Sequence, residues 1–231
     1  MGRLSGQRVG RWIQVVVLVL GVFGETHAAG LVVTANPVSA SIVEGSSAPA
    51  KISLGLVNET SDVISLLVWA TTIQIVPEPG AVGEVLLTGM QPSDGDIFKG
   101  GDSGGPQIIG RDPALPASIA TITDFSGWDM AGRLINAGAT AELVDLEFTA
   151  SGSASGKFSI VLLPLNPDEF SLSSAWGDSR GMGEQIPFGN SGVLATIEII
   201  TLPEPSSLAC AAIGGLLLLA KRRGRCCYVF A

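Results

Sequence analysis

The feature that most constrains the fold of this chain is a series of short apolar runs between Gly30 and Thr201. Gly-, Pro- and Ser-rich breaks separate the runs, and Asp145 and Glu147 alternate with apolar neighbours in one of them. This period of two is typical of strands with one buried and one wet face. The pattern predicts an all-β domain over residues 30–201, a β-sandwich, with only a short helical turn at 131–136. The predicted strands are 31–35, 38–43, 51–57, 63–76 (two consecutive strands), 84–88, 119–123, 143–149, 158–163 and 193–200.

Composition restricts what can hold such a domain together. The cysteines Cys210, Cys226 and Cys227 all lie near the C-terminal end, which excludes a disulfide framework or a cysteine-based zinc site from the middle. The formal net charge is −8, and the ends hold many of the basic residues, so the middle is more acidic still. Because an acidic surface repels phosphates, nucleic acid is not an expected partner.

The first 28 residues have the layout of an export signal. Three arginines, Arg3, Arg8 and Arg11, precede an apolar run at 12–23, and small residues follow up to Ala28. A basic stretch, an apolar stretch and a small-residue cleavage site make a secretory signal peptide, here predicted over residues 1–28. The alternative is an uncleaved anchor, which the short apolar run disfavours.

The C-terminal end has three parts in a fixed order. The triplet Pro203, Glu204 and Pro205 precedes an apolar run at 208–220, which predicts a short transmembrane helix. A basic cluster that would stop the helix at the membrane follows: Lys221, Arg222, Arg223 and Arg225. The same triplet at Pro77-Glu78-Pro79 lacks the helix and the basic stop, so it predicts only a turn.

The tripartite arrangement over residues 202–225 resembles the PEP-CTERM sorting signal of bacteria that make exopolysaccharide. The resemblance implies recognition of Pro203, Glu204 and Pro205 by an exosortase, a membrane transpeptidase-like enzyme. It implies export to the cell envelope, with membrane association through the helix or release to the exterior after processing. The tail at 226–231 departs from the family pattern, because such signals end soon after their basic residues.

Two segments of the middle resemble the cohesin-like, carbohydrate-binding-type sandwiches, which include jelly-roll arrangements. Residues 51–58 are similar to the early strand and turn of that group, and residues 141–149 are similar to its late strand. The resemblance is one of pattern rather than of a specific motif. It implies a cohesin-like sandwich that binds a protein or glycan partner.

The hexapeptide from Gly101 to Pro106 matches the sequence around the nucleophile of chymotrypsin-like proteases, with Ser103 in the nucleophile's place. That chemistry needs a general base, and the only histidine, His27, lies in the predicted signal peptide. Lys99 is the remaining base nearby, and it is more simply a loop charge. We therefore predict no catalytic residues, and a Gly-rich surface loop here.

Weaker candidates lie in other loops. Asp94, Asp96 and Asp102 are close in sequence, but they lack the regular series of a calcium loop. No cofactor is therefore predicted, although a structural calcium ion stays an open alternative. Trp128 and Trp176 lie in Gly-, Asp- and Ser-rich segments, where exposed rings could contact a glycan.

Three functional hypotheses follow from these observations. The first is a non-enzymatic surface or exopolysaccharide-matrix protein with a structural or adhesive β domain. The second is a cohesin-like module that binds a protein or glycan. The third is a secreted hydrolase that uses Ser103 or a carboxylate pair, which the missing base disfavours.

The Asn58-Glu59-Thr60 triplet also matches a glycosylation acceptor, a pattern common by chance.

Overall fold

The computed structural model describes residues 30–99, 105–109, 115–126, 132–166, 174–178 and 185–201. Its regular secondary structure, over these ranges, is entirely β-strand. The thirteen strands are β1 (Leu31–Asn36), β2 (Ser39–Val43), β3 (Ala50–Asn58), β4 (Ile64–Pro77), β5 (Val85–Pro92), β6 (Gln107–Ile109), β7 (Ile119–Phe125), β8 (Arg133–Ile135), β9 (Thr140–Ala150), β10 (Gly156–Leu162), β11 (Ala175–Asp178), β12 (Ile186–Pro187) and β13 (Gly192–Ile200).

The smaller sheet has four antiparallel strands in the order β1–β3–β9–β5. Along β3, buried and partly or fully exposed residues alternate, as the sequence pattern requires of a sheet with one wet face. A β-bulge interrupts the pairing of β3 with β9, and Leu143 and Val144 are consecutive buried residues there. The bulge moves Glu142 into the position opposite Gly55.

The larger sheet has nine strands and is organised around β4, the longest strand. One side of β4 pairs with β10 and β11, and the other side pairs with β7 and β8. Beyond β10 lie β13 and then β2, and the β13–β2 pair is parallel. The strand β6 pairs with β7, and β12 pairs with β11. The sheet therefore branches along the length of β4.

The hydrophobic core lies between the inner faces of the two sheets. Its largest fully buried side chains include Trp69 of β4, Phe148 of β9, Phe158 of β10 and Phe98, which follows β5. Burying a side chain of this size contributes about 2–3 kcal/mol through the hydrophobic effect. Since the described middle of the chain contains no cysteine, this packing carries the stability that disulfides supply in smaller secreted domains.

The chain links the two sheets at both edges. The strands β1 and β2 are consecutive but belong to different sheets, and Pro37 lies between them. At the opposite edge, Leu87 of β5 and Ala117 exchange two backbone hydrogen bonds of 2.8 and 3.0 Å. Ala117 precedes β7 of the larger sheet. These links cover part of the edge strands, which are otherwise open to pairing with other chains.

The structure confirms the predicted all-β sandwich and corrects several details. Residues 63–76, expected to form two strands, lie mostly in the single strand β4, and the expected helical turn at 131–136 contains β8. The short strands β6, β11 and β12 were not predicted. In the described part of the chain, no helix is long and apolar enough to cross a membrane. The signal peptide at 1–28, the sorting signal at 202–225 and the tail at 226–231 lie outside the described residues.

Candidate functional site

The outer side of the four-stranded sheet is an open polar surface, which we call the four-stranded face. It is made by side chains of β1, β3 and β9 that alternate with the core residues of those strands. None of the side chains that define it is buried. They are Thr34, Lys51, Ser53, Glu142, Asp145 and Glu147.

Neighbouring strands hold the charged groups of the four-stranded face in place. The Lys51 ammonium lies 2.8 Å from a Glu147 carboxylate oxygen, and this hydrogen bond and charge raise the pKa of Lys51. The Ser53 hydroxyl donates a hydrogen bond of 2.6 Å to Asp145. Three carboxylates thus share the face with a single lysine, so its charge is negative.

Two glycines lie where neighbouring strands of the four-stranded face approach each other closely. A Cβ atom at Gly55 would lie 2.9 Å from the backbone oxygen of Ala141, and one at Gly89 would lie 3.0 Å from a Glu147 carboxylate oxygen. The Gly55 position is therefore too close to the β9 backbone for a side chain, whereas a Cβ at Gly89 would meet the movable end of the Glu147 side chain. The neighbouring polar groups stay accessible from the solvent side as a result.

The outer side of the nine-stranded sheet is different. Its outward-facing Ala70, Thr72 and Thr121 are all at most 5% exposed, and the two threonine hydroxyls are 2.8 Å apart. Exposed polar groups on this side lie further along β4, such as Gln74, and on β2 and β13, such as Ser41 and Glu198. The four-stranded face is therefore the more open of the two sheet surfaces.

A pair of buried carboxylates, Asp96 and Asp124, lies inside the sandwich rather than on either sheet surface. Asp124 is near the end of β7, where it faces the interior beside Trp69, and it is 1% exposed. The pKa of Asp124 is raised to about 6, mainly because the carboxyl is buried. The hydrogen bond from the Phe125 N–H lowers this pKa, and the negative charge of Asp96 raises it. Asp96 is 6% exposed, and burial raises the pKa of its carboxyl as well.

Several buried polar atoms near this pair lack a hydrogen-bond partner. They include the second carboxylate oxygen of Asp124 and the hydroxyls of Ser93 and Ser126. Such atoms cost free energy when buried unless something else satisfies them. No group of three or more His, Cys, Asp or Glu residues suited to a metal ion occurs among the described residues.

The predicted tryptophan platform is wrong for Trp176. This residue lies in β11, opposite Trp69 of β4, and its side chain is 7% exposed within the core. Pairing with the long central strand turns the ring inward, so it cannot offer a face to a glycan. Trp128 lies outside the described residues.

The two described aspartates of the loop after β5, Asp94 and Asp96, have different surroundings. Asp94 is exposed and forms an ion pair of 3.3 Å with Lys99, whereas Asp96 points into the protein and accepts a hydrogen bond of 3.0 Å from the Phe98 N–H. Lys99 is thus engaged as a loop charge. Asp102 and Ser103 lie outside the described residues.

Asn58 is a structural residue rather than an exposed glycosylation acceptor. It is completely buried, and its amide donates hydrogen bonds to the carbonyls of Asp62 and Ile135 at 2.8 and 2.9 Å. Its carbonyl oxygen accepts a bond of 3.0 Å from the Thr60 N–H. The side chain joins the end of β3 to β8.

Comparison with known proteins gives a similarity of structure only. No protein-family model matches the chain, and no match is found among curated proteins. A chain of a type II cohesin–X-dockerin complex from Acetivibrio cellulolyticus is 11% identical, with a TM-score of 0.41, over 74% of this chain and 95% of that one. The second type II cohesin module of the ScaA scaffoldin of the same organism is 12% identical, with a TM-score of 0.39, over 74% and 93%. The class that the described residues define by their own strands and pairing is a two-sheet β-sandwich, and the cohesin-like subfamily stays a prediction.

Proposed function

We propose that this chain is an exported, non-enzymatic binding module, retained at the cell envelope, that recognises a protein partner through the four-stranded face. The observation that carries the proposal is the state of that face, whose defining side chains are acidic in sum and not buried. A surface with these properties fits a partner that presents lysines and arginines, because complementary charge speeds association and selects against wrong partners.

The sequence ends support the location. A signal peptide at 1–28 would direct the chain out of the cytoplasm, and the sorting signal at 202–225 would deliver it to an exosortase. Pro203, Glu204 and Pro205 would be the recognition triplet of that enzyme. In this arrangement the membrane helix and its basic stop hold the chain while the β-sandwich is displayed outside. The exopolysaccharide matrix is the setting of the module.

A protein partner is favoured over a glycan by the aromatic residues. Sugar rings stack on exposed aromatic faces, and Trp176, one of the two candidates for such contact, is buried in the core. The six side chains that define the four-stranded face include no aromatic ring. Their carboxylates, held by Lys51, Ser53 and the Gly95 N–H, are instead ordered acceptors for cationic side chains.

Site-specific photocrosslinking in the producing cells tests the binding face. A photoreactive amino acid replaces Thr34 on the four-stranded face, and the matched control replaces Ser41, which is also an exposed strand residue but lies on the nine-stranded sheet. We expect protease-sensitive adducts from position 34 and few from position 41. Equal adducts at both positions, or adducts that resist protease, would refute recognition of a protein by this face.

Deletion of residues 208–225 tests the location separately. Without the membrane helix and its basic stop, the protein is expected to move from the envelope fraction to the medium or to remain unprocessed. The matched control changes Glu78, in the Pro77-Glu78-Pro79 triplet that lacks a helix, to Ala. Unchanged fractionation of the deletion variant in a host that carries an exosortase would contradict the sorting role.

A further inference from the structure

We propose that Asp96 and Asp124, together with the hydroxyls of Ser93 and Ser126, bind one calcium ion between the two sheets. The four residues are buried and come from two segments, which lie near enough for the charge of Asp96 to act on Asp124. Ser93 and Asp96 follow β5 of the four-stranded sheet, whereas Asp124 and Ser126 lie at the end of β7 of the larger sheet. The ion would therefore join the two layers at a point where the backbone alone does not.

The carboxylates are arranged as ligands rather than as an ion pair with a protein cation. One oxygen of Asp124 accepts a hydrogen bond of 2.8 Å from the Phe125 N–H, and its other oxygen is buried without a partner. Asp96 lies close enough for its negative charge to act on Asp124. Two like charges in a buried place repel each other, and a divalent cation would reverse that interaction.

The serine hydroxyls are a second observation that points to a ligand. Ser93 and Ser126 are each 2% exposed, and neither hydroxyl oxygen has a hydrogen-bond partner. Ser126 follows Asp124 by two residues and lies just past the end of β7. The Ser93 carbonyl accepts a bond of 3.2 Å from the Asp96 N–H, so that turn holds the hydroxyl and the carboxylate together.

The chemistry of this donor set selects calcium. Every group is a hard oxygen ligand, and neither histidine nor cysteine takes part, which excludes the ligands preferred by zinc and copper. Calcium accepts mixed carboxylate, hydroxyl and carbonyl oxygens in flexible geometry, whereas magnesium demands a near-ideal octahedron. The exposed Asp94, paired with Lys99, is not part of the site.

Titration of the full-length protein, purified in mild detergent and stripped with a chelator, tests the site. Calcium chloride is added while heat and thermal unfolding are followed, with terbium luminescence as a second probe. We expect one calcium ion to bind, with a dissociation constant of about 10⁻⁴–10⁻³ M, typical of extracellular modules. Binding should raise the unfolding temperature. No binding at 10 mM calcium, with unfolding unchanged, would overturn the proposal.

Variants assign the ligands. Asp124→Asn and Asp96→Asn should each weaken calcium binding at least about tenfold, since each removes one of two charged ligands. Asp94→Asn and Glu198→Gln are matched controls that change exposed carboxylates and should bind calcium as the wild type does. Should Asp124→Asn fail to fold, Asp96→Asn and Ser126→Ala decide the matter, because wild-type affinity in both would overturn the site.

Discussion

Replacement of Asp124 by Asn should remove a specific pH dependence of the stability of this protein. The carboxyl has a pKa of about 6 in the folded protein and an unperturbed value of 3.8. Because the folded state holds this proton more tightly, its contribution to stability is fully present below pH 3.8 and is lost as the pH rises through 6. An Asn side chain keeps the acceptor for the Phe125 N–H but carries no charge at any pH.

The size of the effect follows from the difference between the two pKa values. About two pKa units at 1.36 kcal/mol each give about 3 kcal/mol of free energy of unfolding. The wild type, relative to Asp124→Asn, should therefore lose about 3 kcal/mol between pH 3 and pH 7. Comparison with the variant cancels the contributions of carboxylates that do not interact with Asp124, and the difference that remains includes the coupling between Asp124 and Asp96.

Urea unfolding of the full-length protein in mild detergent, with a chelator present, measures this difference. Tryptophan fluorescence follows the transition at half-unit intervals from pH 3 to pH 7, and the two free-energy curves are subtracted. The subtracted curve should fall most steeply between pH 4 and pH 6. A difference in free energy that does not change with pH, or that rises with pH, would refute the conclusion that ionisation of the buried Asp124 carboxyl destabilises the folded protein.

Three further substitutions test the packing, the turn and the surface. Phe148→Ala removes a fully buried ring from β9 and should cost about 3–5 kcal/mol in urea unfolding, whereas a cost below about 1 kcal/mol would contradict its place in the core. Asn58→Ala removes the buried bond to the Ile135 carbonyl and the acceptor of the Thr60 N–H, whereas the Asp62 carbonyl keeps the Thr60 hydroxyl as a donor, and the change should cost about 2 kcal/mol in urea unfolding. The wild type should gain no glycan mass in a glycosylating host. Lys51→Ala breaks an exposed ion pair that solvent screens, so the urea midpoint should stay close to that of the wild type, and a clear loss of stability in the same assay would contradict this.

The sequence predicts the fold class well where one strand face is wet. In β9, the alternation of Asp145 and Glu147 with apolar residues reports burial directly, because each side chain sees either water or the core. The same logic fails for β8, β11 and β12, which have only two to four residues each and cannot display a period. The strands β8 and β11 exist because the long β4 offers them pairing partners far away in the sequence, and β12 pairs with β11.

The sequence predicts the surroundings of Trp176 wrongly, and it carries an indication of the buried Asp124. Trp176 was placed on the surface because its neighbours are Ser, Gly and Asp, yet pairing with β4 buries it. Asp124 was missed, although its signal was present in the sequence. It follows Ala120 and Ile122 in steps of two, and these are core residues, so the alternation already placed a carboxyl on the inner face. Its proximity to Asp96 depends on packing between sheets, which no local pattern reports.

The proposed calcium site and the proposed binding face share a segment, so one should affect the other. The Ile97 N–H donates a bond of 3.0 Å to the Glu142 carbonyl, and the Gly95 N–H donates one of 2.9 Å to the Glu142 side chain. An ion held by Asp96 would fix this loop and thereby the position of Glu142 on the four-stranded face. A chelator should therefore lower partner crosslinking from position 34 in the wild type but not in Asp96→Asn, where crosslinking is already low. Equal crosslinking with and without calcium, in a protein shown to bind the ion, would mean that the site stabilises the sandwich without ordering the face.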